Sequence, residues 1–381
     1  AARFSIIDEA VGSIDVNLRG ENKARYLEER YGSDFVYIGD SRSDRSVWKL
    51  SSESYFVGWR SNYKKVVGPS LIETVGLIEI ERSSSVWKRL AAALRIHQWP
   101  KNLLVAVPLL ISQEFTDVSK WVSVAFGFIA ISLMASATYI WNDILDLDND
   151  RKHDSKKLRP FAAAELSPLV GLAVSIVLIA ISLFVSHILL PTGFNLSLYA
   201  YLIATIAYSR LFKAVVLADV FLLGTLYLIR VVAGTEVVNL DYSFWLLSFT
   251  FCFFVSLSLA KRMTDIRSLG VSKSPNLAGR GYLQEDSIFV LALGLSMSAV
   301  SAVIAVLYIN DASQLEKYQS PFYLWIIAIL VLYWTLHIWF QAHRGVLTSD
   351  PVIFALRDPL SRTLGVIISA LFLLAVGLDI G

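Results

Sequence analysis

Charge is scarce in this sequence: Asp, Glu, Lys and Arg make up 17% of 381 residues, against about 25% in an average soluble domain. That shortage argues against an ordinary soluble enzyme. A net charge of +2 is too small to suggest a nucleic-acid partner. Cysteine is almost absent. Cys252 stands alone, which excludes an intramolecular disulfide, and its neighbours Phe251, Phe253 and Phe254 make it read as a buried apolar filler. No secretory leader with a cleavage site is apparent, and the chain opens on Ala1 without a methionine, so the natural start is expected upstream.

What is abundant is hydrophobic surface, at 55%, and it is unevenly placed. Residues 1–85 hold acids such as Glu21, Glu28 and Glu29 and no run able to cross a bilayer. Lys23 to Tyr31 reads as an amphipathic helix, and Phe35 to Ile38 and Tyr55 to Gly58 as short strands, so a small α/β domain is predicted. Residues 90–381 differ, because a span needs roughly 20 mostly apolar residues to cross about 30 Å. Clear candidates are Trp121 to Trp141, Leu169 to Leu190, Tyr242 to Ala260, Ile288 to Ile309 and Pro321 to Ala342. Shorter ones are Asn102 to Phe115, Phe194 to Ser209, Ala214 to Gly234 and Thr363 to Leu378. An all-α integral membrane bundle of nine transmembrane helices is the expectation.

The basic loops alternate with this count. Lys88, Arg89, Arg95 and Lys101 precede the first span; Arg151, Lys152, Lys156, Lys157 and Arg159 follow the second. Arg210 and Lys213, then Lys261, Arg262, Arg267 and Arg280, then Arg344, Arg357 and Arg362 mark the same side further on. Cytoplasmic loops are the ones enriched in Lys and Arg. The amino terminus is therefore expected inside, in what would be a bacterial inner membrane, with the carboxyl terminus outside.

The second span ends in Asn142-Asp143-Ile-Leu-Asp146-Leu-Asp148-Asn149-Asp150. If the helix continues, Asn142, Asp143, Asp146 and Asp150 fall on one stripe, since residues three and four apart are neighbours. Carboxylates so crowded repel one another unless a cation lies between them. Oxygen ligands of this kind suit Mg²⁺, which keeps waters and completes its shell with substrate phosphate. The bland alternative is a solvated acidic helix end. Lys156, Lys157 and Arg159 then follow as possible phosphate holders, Arg through a bidentate fork and Lys as a point charge; they could equally be topology signals. Charges within spans are functional candidates by default. Asp219 and Arg230, about three turns apart, share a face of the fifth span, with snorkelling as the alternative for Arg230. Lys261, Arg262 and Asp265 close the sixth span, and Arg95, His97 and Lys101 open the first.

Asn142-Asp143-x-x-Asp146-x-x-x-Asp150 on the second of nine spans, with further acid after the sixth, resembles the UbiA superfamily of intramembrane prenyltransferases. Three segments are similar to its decaprenyl-phosphate phosphoribosyltransferase group: Leu94-Arg95-Ile-His97-Gln98-Trp99-Pro100-Lys101-Asn102, Lys157-Leu-Arg159-Pro160, and Ile229-Arg230-Val-Val-Ala233-Gly234. The resemblance implies a transferase that joins phosphoribosyl diphosphate to a polyprenyl phosphate lipid. It also implies Mg²⁺ on Asn142, Asp143, Asp146, Asp150 and Asp265. Asp143, Asp146, Asp265 and Lys261 would then be catalytic, and Lys101, Lys156, Lys157, Arg159, Arg230 and Arg262 would bind substrate. One departure bears on this. Where aromatic prenyltransferases of the superfamily repeat D-x-x-x-D, Asp265 is followed four residues later by Leu269. A prenyl diphosphate donor with an aromatic acceptor is the second reading, and a transporter a distant third.

The amino-terminal segment resembles another family. Gly39-Asp40-Ser41-Arg42-Ser43-Asp44, with Lys23 in the preceding helix, is similar to the last motifs of haloacid-dehalogenase-type phosphatases. That family's nucleophile motif D-x-D-x-T is missing, and Asp146-Leu-Asp148 lacks the following Thr. Without a nucleophilic carboxylate the covalent route is closed. The expectation is a truncated or degenerate domain without phosphatase activity.

Overall fold

A computed structural model describes residues 17–79, 86–112, 114–152, 156–272, 280–311, 318–347 and 350–377. The chain divides into two compact units, Ala1–Ser85 and Val86–Gly381.

The first unit alternates helix and strand: α1 (Glu21–Tyr31), β1 (Val36–Gly39), α2 (Arg45–Trp48), β2 (Glu53–Gly58), α3 (Arg60–Val67) and β3 (Val75–Glu79). The strands form one parallel sheet in the order β1-β2-β3, with Val36 opposite Glu53 and Ser54 opposite Val75. Trp48, Phe56, Val67, Leu71 and Val75 make its core. β1 is less buried than its apolar sequence suggests: Val36 and Ile38 are more than half exposed, because β1 is an edge strand and these residues alternate away from the core. The third strand carries no alternation strong enough to announce it.

The second unit is helical. α4 (Val86–Ala93) leads into a 3-10 stretch, Ile96–Ala106, and the short α5 (Val107–Ile111). Then come α6 (Val118–Leu145), α7 (Leu147–Lys152), α8 (Pro168–Leu189), α9 (Thr192–Ala207), α10 (Ala218–Val237) and α11 (Phe244–Ser272). α12 (Ser287–Asn310), α13 (Phe322–His343), α14 (Pro351–Ala355) and α15 (Pro359–Val376) complete it. Among the described residues, seven helices are long and apolar enough to cross a bilayer: α6, α8, α10, α11, α12, α13 and α15. These correspond to seven of the nine expected spans; the first and the fourth are not among them. The first expected span, Asn102 to Phe115, begins inside a 3-10 stretch that contains Pro100, which lacks a backbone donor for an α-ladder, and only the short α5, with Pro108 in its first turn, is α-helical there. The fourth is α9, whose 16 residues rise about 24 Å before a π-turn at Tyr208–Phe212.

α8 shows the solvent for which this unit is built. It buries Gly171, Ser175, Ser182 and Ser186 and turns Leu169, Ile176, Phe184 and Ile188 outward. Small and hydroxyl residues inside with large apolar ones outside is the reverse of a soluble helix and suits lipid. Ser182 donates to the Ala130 carbonyl of α6 at 2.7 Å, so its polarity is spent inside the bundle. α10 contributes to both main cores, through Ala233 and Val237 on one and Val220 and Tyr227 on the other. Gly234 lets the 3-10 stretch lie directly on α10, since a Cβ there would collide with the Val105 carbonyl oxygen. That close approach delivers Lys101 and Asn102 to the centre of the bundle.

Candidate active site

The acidic motif sits at a break between two helices. α6 ends at Leu145, Asp146 caps it, and α7 restarts at Leu147 with the Asp150 amide bonded to the Asp146 carbonyl at 2.8 Å. The stripe expected from a continuous helix therefore divides. Asp143 and Asp150 are both buried and accept from the same nitrogen, Nη1 of Arg159, at 3.0 and 2.6 Å. Arg95 adds a second guanidinium to Asp143 at 2.5 Å and lies over the Tyr139 ring. Asp146 points elsewhere, to Lys213 Nζ at 2.5 Å just after the π-turn. Asn142 lines a cavity described below.

Because Asp143 and Asp150 share one guanidinium nitrogen, a small cation could reach both carboxylates. Among the described residues no three His, Cys, Asp or Glu side chains converge to cage a metal. A divalent ion at this pair would draw its remaining ligands from water and substrate oxygen, which is how Mg²⁺ is commonly held. The oxygen-only donor set fits that ion.

The second acidic region is organised differently. Asp265 pairs with Lys261 at 3.1 Å and with Arg262 at 2.5 Å. Arg262 is itself buried and spends Nε on Asp219 at 2.7 Å. Asp219, with no exposed surface, also receives Arg280 at 3.3 Å and the Tyr282 hydroxyl at 2.7 Å. Arg262 is thus an internal strut between two carboxylates rather than an open phosphate ligand.

Between these regions lies a cavity of about 120 Å³, lined by Asn142, Lys101, Arg230, Lys261, Asp350 and several tyrosines. Arg230 is not snorkelling. It is buried in the middle of α10, donating Nε to Asn102 Oδ1 at 2.7 Å, Nη1 to the Leu226 carbonyl at 2.6 Å and Nη2 to the Tyr201 hydroxyl at 3.1 Å. Its guanidinium also stacks over the rings of Tyr201 and Tyr227. Asn102 passes the network on to Ser132 at 2.9 Å. Lys101 pairs with Asp350 at 2.7 Å. Lys157 is exposed, whereas Lys156 is partly buried and makes no ion pair among the described residues. Burial, then the nearby Arg159 charge, pulls the Lys156 ammonium below its ordinary range. Such a cation gains from an arriving anion.

Asp350 and the tyrosines Tyr139, Tyr201 and Tyr227 have no place among the expected site residues, and the sequence marks Lys213 only as a topology signal. Asp350-Pro351 carried a signal: an Asp before Pro is a helix cap, and Asp350 does accept from the Val352 amide at 3.0 Å. The tyrosines carried none.

In the first unit, Lys23 reaches Asp44 at 3.3 Å, and Asp44 accepts also from the Tyr37 hydroxyl, the Ser41 hydroxyl and the amides of Asp40 and Ser41. Burial alone would raise the Asp44 carboxyl. The hydrogen bonds from Tyr37 and Ser41, with the Lys23 charge, bring it below the usual range instead. Asp40 has an exposed side chain.

The membrane unit is thus a bundle of lipid-facing helices with paired carboxylates beside a cation-lined cavity. The chain belongs to the UbiA prenyltransferase family, which matches residues 103–357. It is 35% identical over 371 residues to the uncharacterized protein y4nM of Sinorhizobium fredii, covering 97% of this chain and 71% of that one. It is 30% identical over 289 residues to the nodulation protein NoeC of Azorhizobium caulinodans, covering 74% and 92%. The decaprenyl-phosphate phosphoribosyltransferase of Mycobacterium tuberculosis is 29% identical over 277 residues, covering 70% and 87%. Among solved structures, a UbiA homolog from Archaeoglobus fulgidus bound to GPP and Mg²⁺ aligns with a TM-score of 0.57 at 16% identity, over 76% of this chain and all of that one. That likeness speaks for the fold.

Proposed function

We propose that the protein transfers the 5-phosphoribosyl group from phosphoribosyl diphosphate to a polyprenyl phosphate, releasing diphosphate, at the inner face of a bacterial plasma membrane. The observation that carries this reading is the cavity, which gathers Lys101, Arg230 and Lys261 next to Asn142 of the acidic motif. Lys101 and Lys261 in so small a space suit phosphate, and the buried charge of Arg230 adds to their field, whereas an aromatic acceptor needs no such concentration of positive charge. The single carboxylate at Asp265, flanked by two cations, leans the same way.

In this reading Asp143 and Asp150 would hold Mg²⁺ together with Asn142, and Asp146 and Asp265 would join them on leaving their present cation partners. When bound, that ion neutralises charge on the departing diphosphate. Arg159 exchanges its carboxylate partners for donor phosphate oxygens, and Lys156 and Lys157 add charge at the rim. Lys101 and Lys261 hold phosphate within the cavity, Arg230 keeps Tyr201, Tyr227 and Asn102 in place, and Arg262 fixes Lys261 and Asp265. The bond from ribose C1 to the diphosphate oxygen breaks with its electron pair on diphosphate. An oxygen of the lipid phosphate then bonds to the electron-poor C1. Preset charges of this type contribute most to such a step because they need no rearrangement.

The amino-terminal unit is proposed as a degenerate haloacid-dehalogenase-like fragment in which Lys23 and Asp44 are structural. The test of the main reading uses purified protein with Mg²⁺. Labelled phosphoribosyl diphosphate and polyprenyl phosphate should yield a labelled lipid. No product from that pair, with product from prenyl diphosphate and an aromatic acid, would replace it with the alternative.

A further inference from the structure

Asp350 is the only acid among the described residues that line the cavity. A carboxylate beside bound phosphate is repulsive and costs binding energy unless it has a donor to hold. Its geometry is fixed in advance: Oδ1 caps α14 through the Val352 amide at 3.0 Å, Pro351 locks the first turn, and Oδ2 accepts from Lys101 at 2.7 Å. The side chain is about a quarter exposed, so the carboxylate still meets the space a substrate would enter. Each of its oxygens has a further lone pair.

A prenyl diphosphate offers such a carboxylate only acceptor oxygens and hydrocarbon. A sugar phosphate offers hydroxyl donors. We infer that Asp350 is a specificity-determining residue that accepts a hydrogen bond from a ribose hydroxyl of the donor, while the Lys101 ammonium paired with it binds an adjacent phosphate oxygen. The inference rests on the phosphoribosyl reading above and deepens it, since it explains why one acid stands among the cations of that cavity. A site built to hydrogen-bond a hydroxyl disfavours the analogue lacking it, because one hydrogen bond to a charged acceptor is lost.

The test measures kcat/KM for the full-length protein with phosphoribosyl diphosphate and with its 2-deoxy and 3-deoxy analogues, using polyprenyl phosphate as acceptor throughout. The wild type should lose about 10- to 100-fold on at least one deoxy donor, as expected for a hydrogen bond to a charged group. Asp350→Ala should lose a similar factor on the natural donor and nothing further on that deoxy donor. Asp350→Asn, which keeps an acceptor for the Val352 amide, gives the same comparison if the alanine variant fails to fold. If the variants lose the same factor on all three donors, Asp350 acts only by holding Lys101, and the inference fails while the phosphoribosyl reading stands. A wild type inactive with phosphoribosyl diphosphate but active with prenyl diphosphate overturns both.

Discussion

The two acidic regions of the membrane unit use the same residue types to opposite ends. At the first, two carboxylates, Asp143 and Asp150, share the Arg159 guanidinium that reaches them from a loop, and Asp143 also takes Arg95. At the second, one fully buried carboxylate, Asp219, takes Arg262 from α11 and Arg280 and Tyr282 from the segment before α12. The first arrangement balances two carboxylates against two guanidiniums that are partly exposed, and it can exchange a partner for a metal or a phosphate. The second is saturated and holds helices together. Charge within a membrane protein therefore marks function only where its partners can leave.

The comparison is broken most severely by removing the saturated acid. Asp219→Ala leaves Arg262 buried with half its partners, which should cost about 3–5 kcal/mol, read as a large fall in the thermal unfolding temperature of the detergent-solubilised protein. An unchanged unfolding temperature would show that Asp219 is as replaceable as its counterparts. Asp143→Asn should do the reverse: unfolding little altered, and turnover reduced by about 10²- to 10³-fold, the scale of losing one preset electrostatic contact. A mutant with wild-type lipid-product formation would remove the acidic pair from the chemistry.

Asp44 extends the saturated class to the amino-terminal unit and predicts a pH effect. Its folded carboxyl is held below the range of the unfolded chain, so its contribution is complete above the unfolded value, about pH 4, and fades as pH falls through the depressed one. Hydrogen exchange of the β1 and β2 amides in the full chain should accelerate over that acid range, and Asp44→Asn should flatten the dependence. Equal profiles in both would place the acid sensitivity elsewhere. The smallest effect is expected at the exposed Lys157: Lys157→Ala should change turnover by less than about threefold, as an exposed charge is worth little.

Much of this was legible in the residues, for physical reasons that differ by region. Long apolar helices such as α6, α8 and α12 declare themselves by length, and the acidic motif by its placement after one of them. The 3-10 stretch did not. Pro100 and Pro108 are visible in the sequence, but whether they kink an α-helix or replace it depends on the neighbour that receives them, here α10 at Gly234. Helical periodicity put Asp143, Asp146 and Asp150 on one stripe, yet the chain breaks at Asp146 and Lys213 takes that side chain away. Partner choice of this kind is decided by tertiary contacts 67 positions apart, beyond any local spacing. Asp350 escaped notice because a lone acid before a proline looks like a cap, and it is one; that it also faces the cavity is set by Lys101, far away in the chain.

On the proposed function, the Asp143 and Asp150 pair forms the metal-dependent seat of a phosphorylated donor. Calorimetric titration of phosphoribosyl diphosphate into the purified protein tests it most directly, with Mg²⁺, with a chelator, and with Asp143→Asn. Saturable binding that requires Mg²⁺ and is lost in the variant is the predicted result. Equal binding under all three conditions would contradict it.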